Sequence, residues 1–310
     1  MKILVAYDGS KWAEATLEDL KHAGLDLDAE VLVMSVADVF IPDAVNEEDG
    51  PGFVPEAVKR AHENAQHMLE QAKILAGQAS EKIRSTFPNW NVSYQAEADS
   101  PAWAVIKKAD DWKPDLVVMG ARGHSVFGGR LILGSISQRV LYEARCSVRI
   151  GRAPRKNSNR PTRILIGVDN SSDSTAAVEA VCNRNWPVGT EVGLLAVVDT
   201  VMAITPNTGE PAATKWIEVG DENNWDQVRE IFEPLAQRLR SAGLRAEVLI
   251  RRGKPADQIL EEADTWGADC IFVGAKGTRG IDRLLLGSVS SAVSSRAHCS
   301  VEVVRNQRSR

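Results

Sequence analysis

Several features that would mark particular protein classes are missing from this chain of 310 residues. No apolar run approaches the roughly 18–20 residues that a transmembrane helix requires, and the amino terminus enters a strand-like segment without the plan of a signal peptide. The net charge of −5 and the pI near 5.7 give no general attraction to nucleic acid or to an anionic membrane surface. We therefore expect a cytoplasmic protein without nucleic-acid or membrane partners.

Cysteine pairs and common nucleotide-enzyme motifs are missing as well. The four cysteines show no CxxC pairing and no histidine partner at metal-ligand spacing: Cys146, Cys182, Cys270 and Cys299. In a chain of this length they indicate reduced, mostly buried thiols and no metal site. The sequence lacks G-x-G-x-x-G after its first strand and lacks any G-x4-G-K-[ST] segment, which argues against a dinucleotide oxidoreductase and against a Walker-type NTPase.

What the chain does contain is an internal repeat. The run Ile-Leu-Val-Ala-Tyr-Asp at 3–8 resembles Ile-Leu-Ile-Gly-Val-Asp at 164–169, and Cys-Ser-Val at 146–148 recurs at 299–301. Matches that keep their order along the chain indicate a duplication. We predict a first domain at 1–151, a polar, proline-bounded linker at 152–161 and a second domain at 162–305.

Each copy alternates strand-like and helix-like segments. Strands rich in Val, Ile and Leu are predicted near 2–7, 30–37, 91–97, 115–120 and 146–151, and again near 163–168, 191–198, 245–251, 268–274 and 299–304. Helical periodicity fills the intervals, and Pro234 predicts a kink or a late start in the helix near 222–241. The fold class is therefore α/β, with two Rossmann-like, doubly wound domains, each a five-stranded parallel sheet flanked by helices.

The second copy carries a glycine-spaced loop between its fourth strand and its last helix. Glycines let bare backbone approach a ligand, and the N–H groups and dipole at a helix start favour an anion. The residues of this candidate phosphate cradle are Gly274, Lys276, Gly277, Arg283, Gly287 and Ser288. The competing interpretation is that the glycines only form turns and that Ser288 only caps a helix.

The spacing of this loop, G-x2-G-x9-G-S, resembles the nucleotide-binding signature of the universal stress protein family. The strand that ends in Val-Asp169, the Gly253-Lys-Pro255 turn and the closing Cys-Ser-Val strand resemble the same family, so the chain looks like a tandem-domain member. The resemblance implies a strand order of 3-2-1-4-5 in each domain, with ATP, alone or with Mg²⁺, across the crevice between the first and fourth strands. The implied nucleotide-binding residues are Asp169, Asn170, Ser171, Val198, Gly274, Lys276, Gly277, Arg283, Gly287, Ser288 and Val289. For Asp169, a role in a turn or a helix cap stays open, since Asn-Ser-Ser follows it.

The first copy departs from this pattern. Its loop has ten residues rather than nine between the second glycine and the final Gly-Ser pair, and Asp99 stands where the second copy has Gly253. We therefore expect the ligand mainly in the second domain. The residues of a candidate second site are Asp8, Gly9, Ser10, Val36, Gly120, Gly123, Gly134 and Ser135.

The leading hypothesis is a stress-response or signalling module that binds an adenine nucleotide, has no catalytic residues, and changes conformation for a partner to read. Two alternatives stay open: an interaction protein of the same fold that binds no nucleotide, and a slow adenine-nucleotide hydrolase that uses Asp169 and a metal. Members of the family usually pair through their last strands. The resemblance therefore implies intramolecular pairing of residues near 146–151 and 299–304, with further homodimerisation left open.

Overall fold

The structure of the chain is a computed structural model. It describes residues 1–39, 56–123, 133–154, 160–198, 225–277 and 286–306, together with the backbone of 201–204 and 215–218. Among these residues, no helix is both long and apolar enough to span a membrane. The predicted Arg283 lies outside the described residues.

The first half of the chain alternates strands and helices as its sequence pattern predicts. Its elements are β1 (Lys2–Ala6), α1 (Lys11–Leu20), β2 (Glu30–Ala37), α2 (Glu56–Thr86), β3 (Asn91–Ala98), α3 (Pro101–Trp112), β4 (Leu116–Gly120), α4 (Ser135–Glu143) and β5 (Ser147–Gly151). Proline at the first position of α3 costs no hydrogen bond, and the helix ends at Lys113, whose φ of 52° is left-handed. The observed strands lie within two residues of their predicted bounds.

The second half repeats this plan with one insertion. Its elements are β6 (Arg163–Val168), α5 (Ser172–Cys182), β7 (Glu191–Val198), β8 (Val201–Ile204), β9 (Lys215–Glu218), α6 (Trp225–Ser241), β10 (Arg245–Arg252), α7 (Pro255–Trp266), β11 (Cys270–Gly274), α8 (Ser288–Arg296) and β12 (Ser300–Val304). The antiparallel pair β8–β9 is not among the predicted strands.

The predicted late start of α6 at Pro234 is wrong. The helix begins at Trp225 and continues through the proline to Ser241. Pro234 and Glu230, whose carbonyl loses its helical partner, are both on the exposed side of the helix. Water can therefore take the place of the lost hydrogen bond.

The two halves together form one ten-stranded sheet, with the order β10-β7-β6-β11-β12-β5-β4-β1-β2-β3. Within each half the strands are parallel and follow the order 3-2-1-4-5, once the inserted pair β8–β9 is set aside. The predicted α/β fold with two Rossmann-like halves is confirmed. The halves meet where β12 pairs antiparallel with β5, inside the two segments that the sequence analysis expected to pair.

The central strands of the sheet are buried on both faces, which agrees with their continuous apolar sequences. Every residue of β4, β5 and β12 is buried, because helices cover both faces of the sheet.

The chain crossovers run in opposite directions from β6 and from β11, and likewise from β1 and from β4. The crevice that opens at the carboxyl ends of such neighbouring strands is the usual ligand position in this architecture.

Candidate functional site

The site in the second half begins where β6 ends. Asn170 adopts a left-handed φ of 64°, which turns the chain sharply between the strand and α5. The Asp169 carboxylate accepts a hydrogen bond from the Ser171 amide at 3.1 Å. Ser171 in turn caps α5, because its hydroxyl accepts from the Ser174 amide at 3.1 Å. One carboxylate oxygen of Asp169 therefore stabilises the turn, which was one of the two roles that the sequence left open.

Two hydrogen bonds fasten this turn to the loop that leaves β11. The Ser171 hydroxyl donates to the Lys276 carbonyl at 3.2 Å. The Lys276 amide donates to the Asp173 carboxylate at 3.1 Å. The predicted residues Asp169, Asn170, Ser171 and Lys276 thus lie together at the carboxyl edge of β6 and β11.

Gly274 and Gly277 differ in what a side chain at their position would contact. A Cβ at Gly274 would lie 2.7 Å from the backbone of Asp173 and Ser174, so close packing of β11 against α5 already requires glycine there. A Cβ at Gly277 would instead lie 2.5 Å from the Asp169 Oδ2 atom, at the open edge of the sheet. At Gly277 the nearby atom thus belongs to a side chain, whereas at Gly274 the nearby atoms belong mainly to the backbone.

The start of α8 supplies hydrogen-bond donors beside these residues. Gly287 is the N-cap and has no side chain with which to cap the helix, while its own amide donates to the Ala275 carbonyl at 2.8 Å. Ser290 ties α8 to the end of β11 through a 2.5 Å bond to the Gly274 carbonyl. The amides of Ser288 and Val289 in the first turn have no intrahelical acceptor, and the helix dipole favours an anion in front of them.

Val198 lies at the carboxyl end of β7, the strand next to β6. Its carbonyl accepts a hydrogen bond from the Gly253 amide at 3.1 Å, which joins β7 to the turn before α7. Gly253 has a φ of 139°. That conformation favours glycine, and it accounts for one residue of the turn that resembles the family.

Asp173 is a site residue that sequence reasoning missed. Burial raises the pKa of its carboxyl, while hydrogen bonds from the backbone of Lys276 and Asn306 and the charge of Arg305 act in the opposite direction. An acid in the first turn of α5 could have been noted as helix-favouring, but only the fold brings it to the loop after β11.

The first half builds the same frame at the ends of β1 and β4. Gly9 has a φ of 77° where the second half has Asn170. The Ser10 amide donates to Asp8 Oδ1 at 3.0 Å, and the Ser10 hydroxyl caps α1 by accepting from the Ala13 amide at 3.2 Å. That hydroxyl also lies 3.4 Å from the Arg122 carbonyl, as Ser171 lies near that of Lys276.

The glycines of the first loop occupy equivalent positions. A Cβ at Gly120 would lie 2.9 Å from the Trp12 backbone, and one at Gly123 would lie 2.8 Å from the Asp8 Oδ2 atom. The Gly134 amide donates to the Ala121 carbonyl at 2.9 Å, and α4 begins at Ser135. The extra residue of this loop falls in 124–132, outside the described residues.

Strand register changes one residue of the candidate second site. Tyr7 and Val168 hold equivalent positions, and the pairing of β1 with β2 and of β6 with β7 makes Ala37, rather than Val36, the counterpart of Val198. The Ala37 carbonyl accepts from the Asp99 amide at 3.1 Å, as that of Val198 accepts from Gly253. Val36 therefore lies one residue before the end of β2, which is Ala37.

The two sites differ in the residue beside the loop. Trp12 stands where the second half has Asp173, and the guanidinium of Arg122 lies 5.7 Å from the centre of its ring. The Lys11 ammonium lies 5.3 Å from the same ring. The first loop is therefore flanked by cations and an aromatic ring, and the second by a partly buried acid.

Other candidate chemistry is weak in the described part of the chain. No group of three or more His, Cys, Asp or Glu side chains there could hold a metal ion. All four cysteines are free, and three of them are buried, as predicted. A recess of about 350 Å³ opens at the amino ends of the strands, beside Lys2, Asp28 and Glu30. That recess is at the opposite sheet edge from the predicted residues and is lined partly by acids, which disfavours a phosphate.

Comparison with known proteins now decides the family. The model of the universal stress protein family matches residues 1–152 and again residues 161–305. The chain belongs to the universal stress protein family. A universal stress protein of Mycolicibacterium smegmatis is 29% identical over 317 residues, covering 98% of this chain and 96% of that protein. Universal stress protein Rv2623 of Mycobacterium tuberculosis is 25% identical over 314 residues, with 98% and 96% covered.

Solved structures support the fold. The crystal structure of a universal stress protein from Archaeoglobus fulgidus aligns with a TM-score of 0.66 and 22% identity, and the alignment covers 98% of both chains. The tandem arrangement therefore recurs along the full length of relatives in sequence and in structure. This likeness establishes the architecture and leaves the ligand to be argued from the residues of this universal stress protein.

Proposed function

We propose that this tandem universal stress protein binds ATP in its second half and acts as a stress-response or signalling module rather than as an enzyme. The observation that carries the proposal is the meeting of three chain segments at one sheet edge. The turn at Asp169, the loop at Gly277 and the start of α8 at Ser288 converge where β6 and β11 end. Bare backbone and helix-start amides are suited to a polyphosphate.

Each residue has a proposed part in this site. Gly277, Ser288 and Val289 present backbone amides to the phosphates, Gly287 leaves the start of α8 without a side chain in front of it, and Gly274 lets the loop leave β11 close to α5. Positive charge comes from Lys276 and Arg283. Asp169, Asn170 and Ser171 shape the wall that faces the ribose, and Val198 offers backbone groups to the adenine edge. Mg²⁺ would arrive with the triphosphate, because Mg²⁺ in such sites is held largely by phosphate oxygens and water.

The first half is proposed as a weaker site of the same kind. Asp8, Gly9, Ser10, Gly123 and Ser135 repeat the frame, with hydrogen bonds that match those of the second half. The longer loop and Asp99, whose carboxylate adds a negative charge near the position of the base, argue for lower affinity there. The second half is therefore the primary site.

The test uses two matched substitutions. Gly277→Ala and Gly123→Ala each place a methyl group against the equivalent aspartate, with built contacts of 2.5 and 2.8 Å. We expect Gly277→Ala to lower ATP affinity by at least about tenfold, roughly 1.4 kcal/mol, in isothermal titration calorimetry with Mg²⁺. Gly123→Ala should change the affinity less than about twofold, because it perturbs only the weaker site.

Two results would favour the alternatives. Absence of any ATP binding to the wild-type chain, with no nucleotide released from the purified protein by heat, would favour an interaction protein with empty sites. ATP turnover above a protein-free blank that disappears in Asp169→Asn would favour a slow hydrolase. We propose binding without turnover, in the cytoplasm, where the four free thiols would stay reduced.

A further inference from the structure

Four charged side chains form a row across the junction between β5 and β12. Arg149 is fully buried and donates to Asp19 through Nε at 2.7 Å and Nη2 at 2.9 Å. Its Nη1 atom lies 3.3 Å from Glu302 Oε2. Glu302 accepts two bonds from Arg184, at 2.8 and 2.5 Å. The order Asp19, Arg149, Glu302, Arg184 alternates in sign from one half of the chain to the other.

Strand register puts the middle of this row on the twofold axis that relates the halves. Glu302 of β12 stands directly opposite Arg149 of β5, and the flanking pairs are Val301 with Ile150 and Val303 with Val148. In the repeat, Arg149 and Glu302 are equivalent positions, as Cys-Ser-Val 146–148 and 299–301 show. A residue on a twofold axis faces its own equivalent. The two halves therefore carry opposite charges at the one position that must meet itself.

The surrounding contacts obey the symmetry. The Arg152 amide donates to the Ser300 hydroxyl at 3.0 Å, and the equivalent Arg305 amide donates to the Ser147 hydroxyl at 3.2 Å. The guanidinium groups bond carbonyls of the opposite half, with Arg152 reaching Cys299 and Ser294 and Arg305 reaching Cys146 and Leu141. These contacts would form equally well between two first halves or two second halves.

The charge row breaks that symmetry. Asp19 stands where the second half has Ala180, and Arg184 stands where the first half has Ala23. Two first halves would produce the row acid, base, base, acid, and two second halves would produce base, acid, acid, base. Each like pairing keeps the two outer attractions but places identical buried charges in contact at the centre. We propose that this row selects the partner of each half, so that a first half pairs only with a second half.

A wrong pairing would cost much free energy because the two central side chains of the row are shielded from water. Arg149 is 0% exposed and Glu302 is 1% exposed. Burial opposes the charge of Arg149, but the carboxylates of Asp19 and Glu302 and the Cys270 sulfur nearby raise its pKa well above its ordinary value. Other groups that face the row in the described part of the chain are the Ser300 hydroxyl and the Arg152 charge near Asp19, and the Ala23 carbonyl and the Phe272 ring near Arg184. Removing the opposite charge from such a pair leaves a buried ion without compensation.

Two full-length variants test the selection. Arg149→Glu makes three adjoining members of the row acidic, and Glu302→Arg makes three adjoining members basic. We expect each variant alone to lose the closed arrangement, with a larger hydrodynamic radius than the wild-type chain in size-exclusion chromatography with light scattering. The control Arg229→Glu reverses a charge on the exposed side of α6 and should leave the radius unchanged.

Mixing the two variants restores a native row. The second half of the Arg149→Glu chain keeps Glu302 and Arg184, and the first half of the Glu302→Arg chain keeps Asp19 and Arg149. We therefore expect an equimolar mixture to form a complex of twice the chain mass that neither variant forms alone. If both variants keep the wild-type radius and the mixture forms no complex, the row does not select the partner.

Two substitutions that remove the charges without reversing them provide a second test if the charge reversals prevent folding. Arg149→Met, Glu302→Gln and the double variant form a double-mutant cycle, followed by urea unfolding. We expect the change in the unfolding equilibrium constant of the double variant to differ more than tenfold from the product of the single changes. Independent effects, within twofold of that product, would overturn the proposal.

Discussion

The two glycine loops share a hydrogen-bonded frame and differ in charge. In both halves an Asp accepts from the amide two residues on, a Ser caps the following helix, and the glycine that ends the fourth strand packs against that helix. Beside the loop, however, the first half has Trp12 and the second has Asp173. The frame is therefore a property of the fold. Because Asp173 disfavours an anion beside the second loop, the proposed preference of ATP for the second half depends on its shorter loop and on Gly253 in place of Asp99.

The comparison also separates the roles of the glycines. Gly120 and Gly274 are both in contact with the backbone of the first or fifth helix, so packing accounts for them without any ligand. Gly123 and Gly277 face aspartates at the open edge. A glycine motif by itself thus mixes positions that backbone packing explains with positions that face a side-chain carboxylate, and the binding proposal concerns the second pair.

The largest expected effect concerns the packing glycines. Gly274→Ala should lower the free energy of unfolding by about 2 kcal/mol, because a methyl group 2.7 Å from backbone atoms forces the strand and helix apart. Gly120→Ala should cost nearly as much, since its nearest backbone atom lies at 2.9 Å. Urea unfolding measures both.

Gly77→Ala serves as the control for these two variants. This glycine lies in α2, where the nearest atoms to a new Cβ are 3.8 Å away on Tyr94, so alanine should be neutral or stabilising by up to about 1 kcal/mol. A cost at only one of Gly120 and Gly274 would mean that the shared frame is not equally important in the two halves.

The next effect concerns charge beside the loop. Asp173→Asn removes a negative charge while keeping an oxygen that can accept from the Lys276 amide. We expect ATP affinity at the second site to rise about fivefold, or roughly 1 kcal/mol, as for a single charge interaction near solvent. Titration calorimetry at low and at moderate salt measures the gain, which should shrink as salt increases.

Asp111→Asn is the matched control, because it removes an exposed acid from α3 in the other half. It should leave the affinity unchanged. Equal ATP affinities for the wild-type chain and Asp173→Asn at low salt would show that this acid does not act on the ligand. The difference between Asp173 and Trp12 would then not affect binding at the two loops.

The smallest effect is the pH dependence of stability. Burial raises the pKa of Asp173 in the folded chain, so the folded state holds this proton to a higher pH than the unfolded state does. Its contribution to stability is fully present below the ordinary aspartate pKa and is lost as pH rises through the raised value. Asp173→Asn should therefore gain a few tenths of a kcal/mol relative to wild type between about pH 4 and pH 7. Urea unfolding at both pH values checks this, and a gain that shrinks toward pH 7 would contradict it.

Much of the fold could be predicted from the sequence because it depends on local patterns. Continuous apolar runs predict buried strands such as Leu116–Gly120, and Pro101 and Pro255 indicate where helices begin. The predicted end of β2 agrees with the observed strand, but the residue there that corresponds to Val198 is Ala37 rather than Val36. The short pair β8–β9 gave no comparable signal.

The charge row and Asp173 could not be predicted because they depend on long-range contacts. Arg149 meets Glu302 only because two strands far apart in the chain pair in one register. Asp173 reaches the Lys276 amide only because α5 packs beside β11. Neither residue belongs to a motif, so their partners could not be read from spacing. The glycine loop, by contrast, could be predicted because its residues lie close together in the sequence.

A crystal structure of the full-length protein grown with ATP and Mg²⁺ tests the central claim most directly. We expect the phosphates to lie within hydrogen-bonding distance of the Gly277, Ser288 and Val289 amides, at the ends of β6 and β11. The proposed site would be contradicted if the protein's own side chains filled that space and left no room for three phosphoryl groups, or if ATP bound elsewhere on the chain.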